Sequence, residues 1–230
     1  MLYHTALLAT LLPAVLGIVL YLVGKRAGKR IRWPATIVAF LPVLLILSML
    51  PDLIGYYQGD GQPIYVTYGW ITSPIEVEFG FYVDNISFPI GLIIAVVSAF
   101  ACFYSTKYME DYQGQAGFYA NLLLFTSGML GVVFSSNLLQ FYLFWELMLI
   151  PSYFLIVFWG TAKRALTIGF KYFMFTHASA LCMLLGILSI GSYTGTFDLV
   201  VLSERQGMIP SDLVMLVFAL LLIGFCVKMA

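Results

Sequence analysis

Charge is what this 230-residue sequence has least of: Asp, Glu, Lys and Arg together make up 10% of it. Soluble domains carry about 25%. With 62% of residues hydrophobic and a mean hydropathy of +0.98, a soluble core with a single anchor is excluded. Apolar runs of about 20 residues recur along the whole length, as in a polytopic membrane protein. Eleven basic and eleven acidic residues cancel, so nothing in the overall charge points to a nucleic-acid partner. Cysteine is scarce. Cys102, Cys182 and Cys226 all fall inside apolar runs, with neither CxxC nor metal-ligand spacing, and read as small buried hydrophobes. GxGxxG, GxxxxGK[ST] and HExxH are missing, so neither a soluble cofactor nor a metal site is expected.

What is present is seven candidate spans: Leu2–Val23, Trp33–Ile54, Asn85–Thr106, Gly117–Ser135, Leu138–Trp159, Ala165–Ser192 and Asp212–Ala230. The first lacks a basic leader and is too long for a signal-peptide core, so it reads as a retained helix. The fold class expected is an all-α polytopic membrane protein. Two N-terminal transmembrane helices occupy 1–54, an external loop 55–84, and transmembrane helices three to seven 85–230. Lys25, Arg26, Lys29, Arg30 and Arg32 lie between spans one and two, Lys107 between three and four, and Lys163 and Arg164 between five and six. All eight share one side if the spans alternate, and the other side carries Arg205. The positive-inside rule places the N-terminus outside and these loops in the cytoplasm of a multi-pass cell-membrane protein, with lipid headgroups as compatible neighbours. Within the long loop, "PIYVTYGWI" and "IEVEFGFYV" alternate apolar and polar residues and predict a β-hairpin over the outer face. Glu76 and Glu78 are a carboxylate pair with no cleft or partner in view, so they read as solvated strand face.

Removing the loops leaves Glu146, Lys171, His177 and Lys228 inside spans. A charge at bilayer depth costs about 2.5–3.5 kcal/mol on insertion scales, and such residues usually face a bundle interior or a wet path. Glu146 lies about 12 Å into its span at 1.5 Å per residue, too deep for its short side chain to reach headgroups. It is either an acid–base group of an ion path or a carboxylate locked to a cation to fix packing. Lys228 counts to about 24 Å from the outer face. It reaches the level of Glu146 only if its span starts above the bilayer; otherwise it snorkels to the cytoplasmic headgroups. Lys171 has the same two readings. His177 titrates near neutral pH and can pass a proton, or it can simply hydrogen-bond between helices. Lys171 and His177 differ by about 240° around the helix, so they do not share a face. Pro151 removes the amide that would bond the Leu147 carbonyl, which predicts a kink and a hydrated pocket just past Glu146.

"NLLQFYLFWELMLIPSYFLIVFWG" resembles the Glu-bearing fifth helix of antiporter-like membrane subunits. These occur in respiratory complex I, Mrp-type cation/proton antiporters and archaeal membrane-bound hydrogenase-related complexes. The likeness is to the complex I chain-4 type in "FWELMLIPSYFLI". It extends through "FYVDNISFPIGLI", "FYANLLLFTSGMLGVVFSSNLL", "KYFMFTHASALCMLLGIL" and "YTGTFDL", covering about residues 64–230. The resemblance implies that 85–230 is an antiporter-like half-channel in which Glu146 pairs with Lys228 near mid-membrane. Lys171 matches a lysine common at its position; His177 stands where relatives carry other polar residues. The implied function is proton or sodium translocation by a non-redox membrane subunit, with no cofactor of its own. Its implied partners are other membrane subunits of a redox complex, including a full-length antiporter-like paralogue. Relatives continue for many helices beyond the lysine, usually opening with "PFHTWLPDAH". The sequence is therefore either a piece of a longer chain or a half-length subunit whose ion path a neighbour completes. The alternative function is a non-conducting spacer that joins redox and pumping modules.

Overall fold

The computed structural model describes residues 4–57, 63–71, 77–205, 207 and 209–229, with backbone only for 25–29 and 57. In chain order these form α1 (Thr5–Ala27), a 3-10 turn (Gly28–Ile31), α2 (Arg32–Ser48), α3 (Leu50–Tyr57), β1 (Ile64–Ile71) and β2 (Val77–Val83). Then come α4 (Ser87–Tyr108), α5 (Gln115–Phe134), α6 (Leu138–Trp159), α7 (Ala165–Thr194), α8 (Leu199–Glu204) and α9 (Ser211–Met229). Seven segments among the described residues are long and apolar enough to cross a membrane, α2 and α3 counting as one span. They fall within a few residues of the expected ones. α2 and α3 are separated at Met49: Pro51 has no amide to continue the helical ladder across the junction.

The ends of the bundle differ in chemistry. At one end Arg32 donates to the Thr106 carbonyl at 3.1 Å and pairs with Glu110 at 3.5 Å, joining the start of α2 to the end of α4. Trp159 Nε1 donates to the Gln113 carbonyl, bringing the end of α6 to the same level. Arg30, Lys107, Lys163 and Arg164 lie at this basic end. At the opposite end sits the expected hairpin, an antiparallel β1–β2 pair with Ile64 opposite Val83 and Tyr68 opposite Phe79. Glu76 and the turn lie outside the described residues, and Glu78 is half-buried.

The hairpin is tied to the helix ends beneath it. Gly80 N–H donates to Gln140 Oε1 at 2.6 Å, and Ser136 N–H donates to the Gly80 carbonyl. Tyr65 OH donates to Asp198 at 2.9 Å. Burial and that bond to a carboxylate both push the Tyr65 phenol well above its ordinary range. Leu138 N–H reaches the Phe197 carbonyl, and Leu199 N–H reaches that of Ser136. The turns before α6 and after α7 are thus stitched together. Asn137 and Asp198 use their side chains to cap α6 and α8, satisfying amides that hydrocarbon leaves without partners.

Between helices, small residues permit close approach. A Cβ on Gly131 of α5 would run into the Phe144 ring of α6. Gly224 of α9 lies against Met183 of α7 in the same way. Lipid gives no hydrophobic drive between helices, so such close contacts carry the association.

Asp84 starts α4. Its Oδ1 accepts from Ser87 N–H at 2.7 Å, Ser87 Oγ at 2.8 Å and Ile86 N–H at 3.1 Å. Partial burial alone would raise its pKa, but these hydrogen bonds outweigh burial and hold the carboxyl below its ordinary value. Asp84→Ala should lower stability by about 1 kcal/mol, read as a lower Tm. A depressed carboxyl stabilises above its unfolded pKa and loses that contribution as pH falls through the folded value. The gap between wild type and variant should therefore close below about pH 4; a gap unchanged at pH 3 contradicts the cap.

Candidate functional site

Glu146 points from α6 toward α7. His177 Nδ1 lies 3.0 Å from Glu146 Oε2, and the imidazole stacks on Phe173 with ring centroids 5.8 Å apart. The other carboxylate oxygen, Oε1, is buried and makes no hydrogen bond among the described residues. The His177 side chain keeps 42% of its surface open against 23% for Glu146, so the pair is not sealed on the imidazole side. Ser152 Oγ and Tyr172 OH meet at 3.0 Å about two turns nearer the basic end, a second polar contact along the same α6–α7 seam.

Lys228 comes to the same level from α9. Its Nζ lies 3.5 Å from the Trp145 carbonyl oxygen and 5.4 Å from the centroid of the Trp145 ring. No ion pair within 4 Å joins it to Glu146 among the described residues; Glu146 is paired to His177 instead. The contact formed is thus carboxylate to imidazole, not the carboxylate–lysine pair that the resemblance implied.

Helix lengths explain why counting misplaced the lysine. From the hairpin end, Glu146 lies eight residues into α6, whereas His177 lies 17 residues from Thr194 at the end of α7 and Lys228 lies 17 residues from Ser211 at the start of α9. α7 is 30 residues long. It and α9 overhang α6 by nine residues, about 13 Å at 1.5 Å per residue. Packing fixes the register: Gly186 lies against Leu221 and Gly224 against Met183. Four residues beyond Gly224 is Lys228, and four residues back from Met183 is Ser179, half a turn from His177. Three ionisable groups from three helices therefore share one depth.

Lys171 is not brought to them. It is exposed and makes no hydrogen bond or ion pair among the described residues; the angular offset from His177 sends it to another face, within reach of the basic-end headgroups. Pro151 is buried inside a continuous α6. Two cavities, of about 750 and 420 Å³, lie among α1, α5 and α6 at the basic end, lined by Phe158 and Trp159, away from Glu146. The residue that sequence reasoning missed is Trp145. Its position beside Glu146 was in plain view, but nothing in the pattern showed that α9 would bring Lys228 to it.

This arrangement defines a polytopic helical membrane protein with an acid, an imidazole and an amine gathered inside the bilayer. Residues 135–230 match the family model described as NADH:quinone oxidoreductase/Mrp antiporter, transmembrane region. Residues 70–119 match that of NADH-ubiquinone oxidoreductase (complex I), chain 5 N-terminus. The NAD(P)H-quinone oxidoreductase subunit 5, chloroplastic, of Malvaviscus arboreus is 36% identical over 84% of this chain and 27% of its own length. That of Mesostigma viride is 37% identical over 79% of this chain and 28% of its own length. Both are subunit 5, rather than the chain-4 type to which the α6 motif was likened. Among solved structures, a chain of the membrane-bound sulfane sulfur reductase (MBS), an archaeal respiratory membrane complex, superposes with TM-score 0.78 at 24% identity, over 96% of this chain and 33% of that one. A chain of the Mrp complex from Dietzia sp. DQ12-45-1b gives 0.83 at 20% identity, over 97% and 24%. The chain thus spans about a quarter of the length of the curated relatives it matches. It belongs to the antiporter-like membrane subunits of complex I-related type.

The Glu146–His177 contact makes a direct prediction. Each single variant, Glu146→Gln and His177→Leu, should destabilise the subunit. In a double-mutant cycle the two should couple by about 1–3 kcal/mol, as expected for a hydrogen bond to a charged group. Additive effects on thermal stability contradict the pairing.

Proposed function

We propose that residues 85–230 form a half-channel of a proton-translocating membrane subunit in a complex I-related assembly, with Glu146 as its central acid–base group. The observation that carries this reading is the 3.0 Å contact between Glu146 and His177 at the depth reached by Lys228. A structural lock would need one cation. Here the carboxylate has an imidazole on one oxygen, a buried oxygen left over, and an ammonium close by. A proton on His177 Nδ1 can pass to Glu146 Oε2 along the existing hydrogen bond and return, and Lys228 brings an amine to the same depth. Lys171 would serve at the basic end, where protons or headgroups meet the helix.

The imidazole also favours H⁺ over Na⁺. Hard cations select several oxygen ligands, whereas a nitrogen of histidine is a proton carrier. No metal or redox group enters the reading. The driving energy would come from partner subunits, among them a longer antiporter-like neighbour, with the basic end in the cytoplasm and the hairpin outside the cell membrane. The likeness to chains of the MBS and Mrp complexes supports the fold of such a subunit and nothing finer.

The test is Glu146→Gln in the intact complex, assayed for proton pumping per electron transferred. Pumping should fall by about tenfold or more, with the complex still assembled and electron transfer still measurable. Unchanged pumping removes Glu146 from the path and favours the spacer reading, in which Lys228→Ala is also silent and only deletion of the chain matters.

A further inference from the structure

We propose that Trp145 is a positioning residue that gives Lys228 a second, uncharged seat beside Glu146. This inference rests on the half-channel reading above.

The seat has two parts on one residue. The Trp145 carbonyl oxygen lies 3.5 Å from Lys228 Nζ, and the ring centroid lies 5.4 Å away. Backbone carbonyls are common partners for intramembrane cations, and tryptophan has the aromatic face best suited to an ammonium. The ring is held on both sides. Phe141 stacks on it at 5.5 Å and 26°, and Phe225 meets it edge-on at 5.5 Å and 83°. Phe225 is three residues before Lys228, on the same side of α9. The helix that carries the lysine therefore also packs its aromatic seat in place.

The neighbouring residue offers the competing seat. Glu146 follows Trp145 in the chain, so their Cα atoms are about 3.8 Å apart. Glu146 Oε2 is engaged by His177, while Oε1 is buried and has no hydrogen bond among the described residues. The exchange proposed for Lys228 is of a carbonyl and a ring face for that carboxylate oxygen. While the ammonium sits on Trp145, His177 keeps the carboxylate partnered. When it moves to Oε1, the carboxylate is bridged. Trp145 sets how much of the charged lysine rests away from Glu146. The titratable groups facing this exchange are Glu146 and Tyr142 on α6 and His177 on α7.

The experiment replaces Trp145 by mono-, di- and tetrafluorotryptophan in the assembled complex. These keep the indole's shape while stepwise removing the negative charge of its face. Weakening one seat for the charged lysine lowers the total population of the charged form. The alkaline limb of the pumping-rate profile should therefore move to lower pH with each step, by about 0.5 pH unit across the series for a cation–π contact of this class. Trp145→Phe should fall within the series, and Trp145→Leu should lie beyond its end. A profile unmoved by fluorine overturns the seat, because a ring that only fills space is unchanged by it. Should Glu146→Gln pump normally, the half-channel reading fails first. A flat fluorine series beside an inactive Glu146→Gln removes only the seat.

Discussion

A carboxyl group set about 12 Å into a membrane-spanning helix needs a polar partner, and the structure supplies an imidazole. The Glu146–His177 hydrogen bond is the interaction on which the rest of the site depends. It needs α6 and α7 in one antiparallel register, and that register needs Gly169 packed against Val157 and the Asn137 cap that starts α6 at Leu138. α9 is then fixed through Gly224 and Met183, which delivers Lys228 to the same level. The ionisable cluster is therefore a consequence of helix register, set by small residues that let backbones approach.

The hairpin belongs to the same chain of causes. It is joined through Gly80 to Gln140, at the head of the helix that carries Glu146, and through Tyr65 to Asp198, just after the helix that carries His177. The two helices of the pair are thus clamped at their hairpin ends, while at the basic end Trp159 holds α6 to the α4–α5 connection. Polar groups sit where helices begin and end, and the interior polar groups are few enough that each has a position worth explaining.

Much of this was legible in the residues. Apolar run length located the seven spans, because hydrocarbon tolerates little else. Alternation located both strands, and basic residues separated the two ends. Glu146 stood out because an acid at that depth is costly whatever the fold. The depth of Lys228 was not legible: counting from loops assumes that every helix starts at one plane, and α7 and α9 overhang α6. His177 had no stronger sequence signal than any lone membrane histidine, since its partner lies on another helix at a register that only packing sets. Trp145 looked like one more aromatic in an aromatic run. The parting of Lys171 from His177 was legible too: an offset of about 240°, two-thirds of a turn, already put them on different faces. The α6 motif suggested a chain-4 relative, while the relatives matched are subunit 5.

The central claim is that one carboxylate is held by His177 while Lys228 waits on Trp145, all at one depth. The most direct measurement is a high-resolution structure of the assembled complex containing this chain. The account predicts Glu146 Oε2 near 3.0 Å from His177 Nδ1 and Lys228 Nζ within reach of the Trp145 carbonyl and the free Glu146 oxygen. A His177 ring turned away from Glu146, or a Lys228 amine drawn out to the headgroups of the basic end, would contradict it.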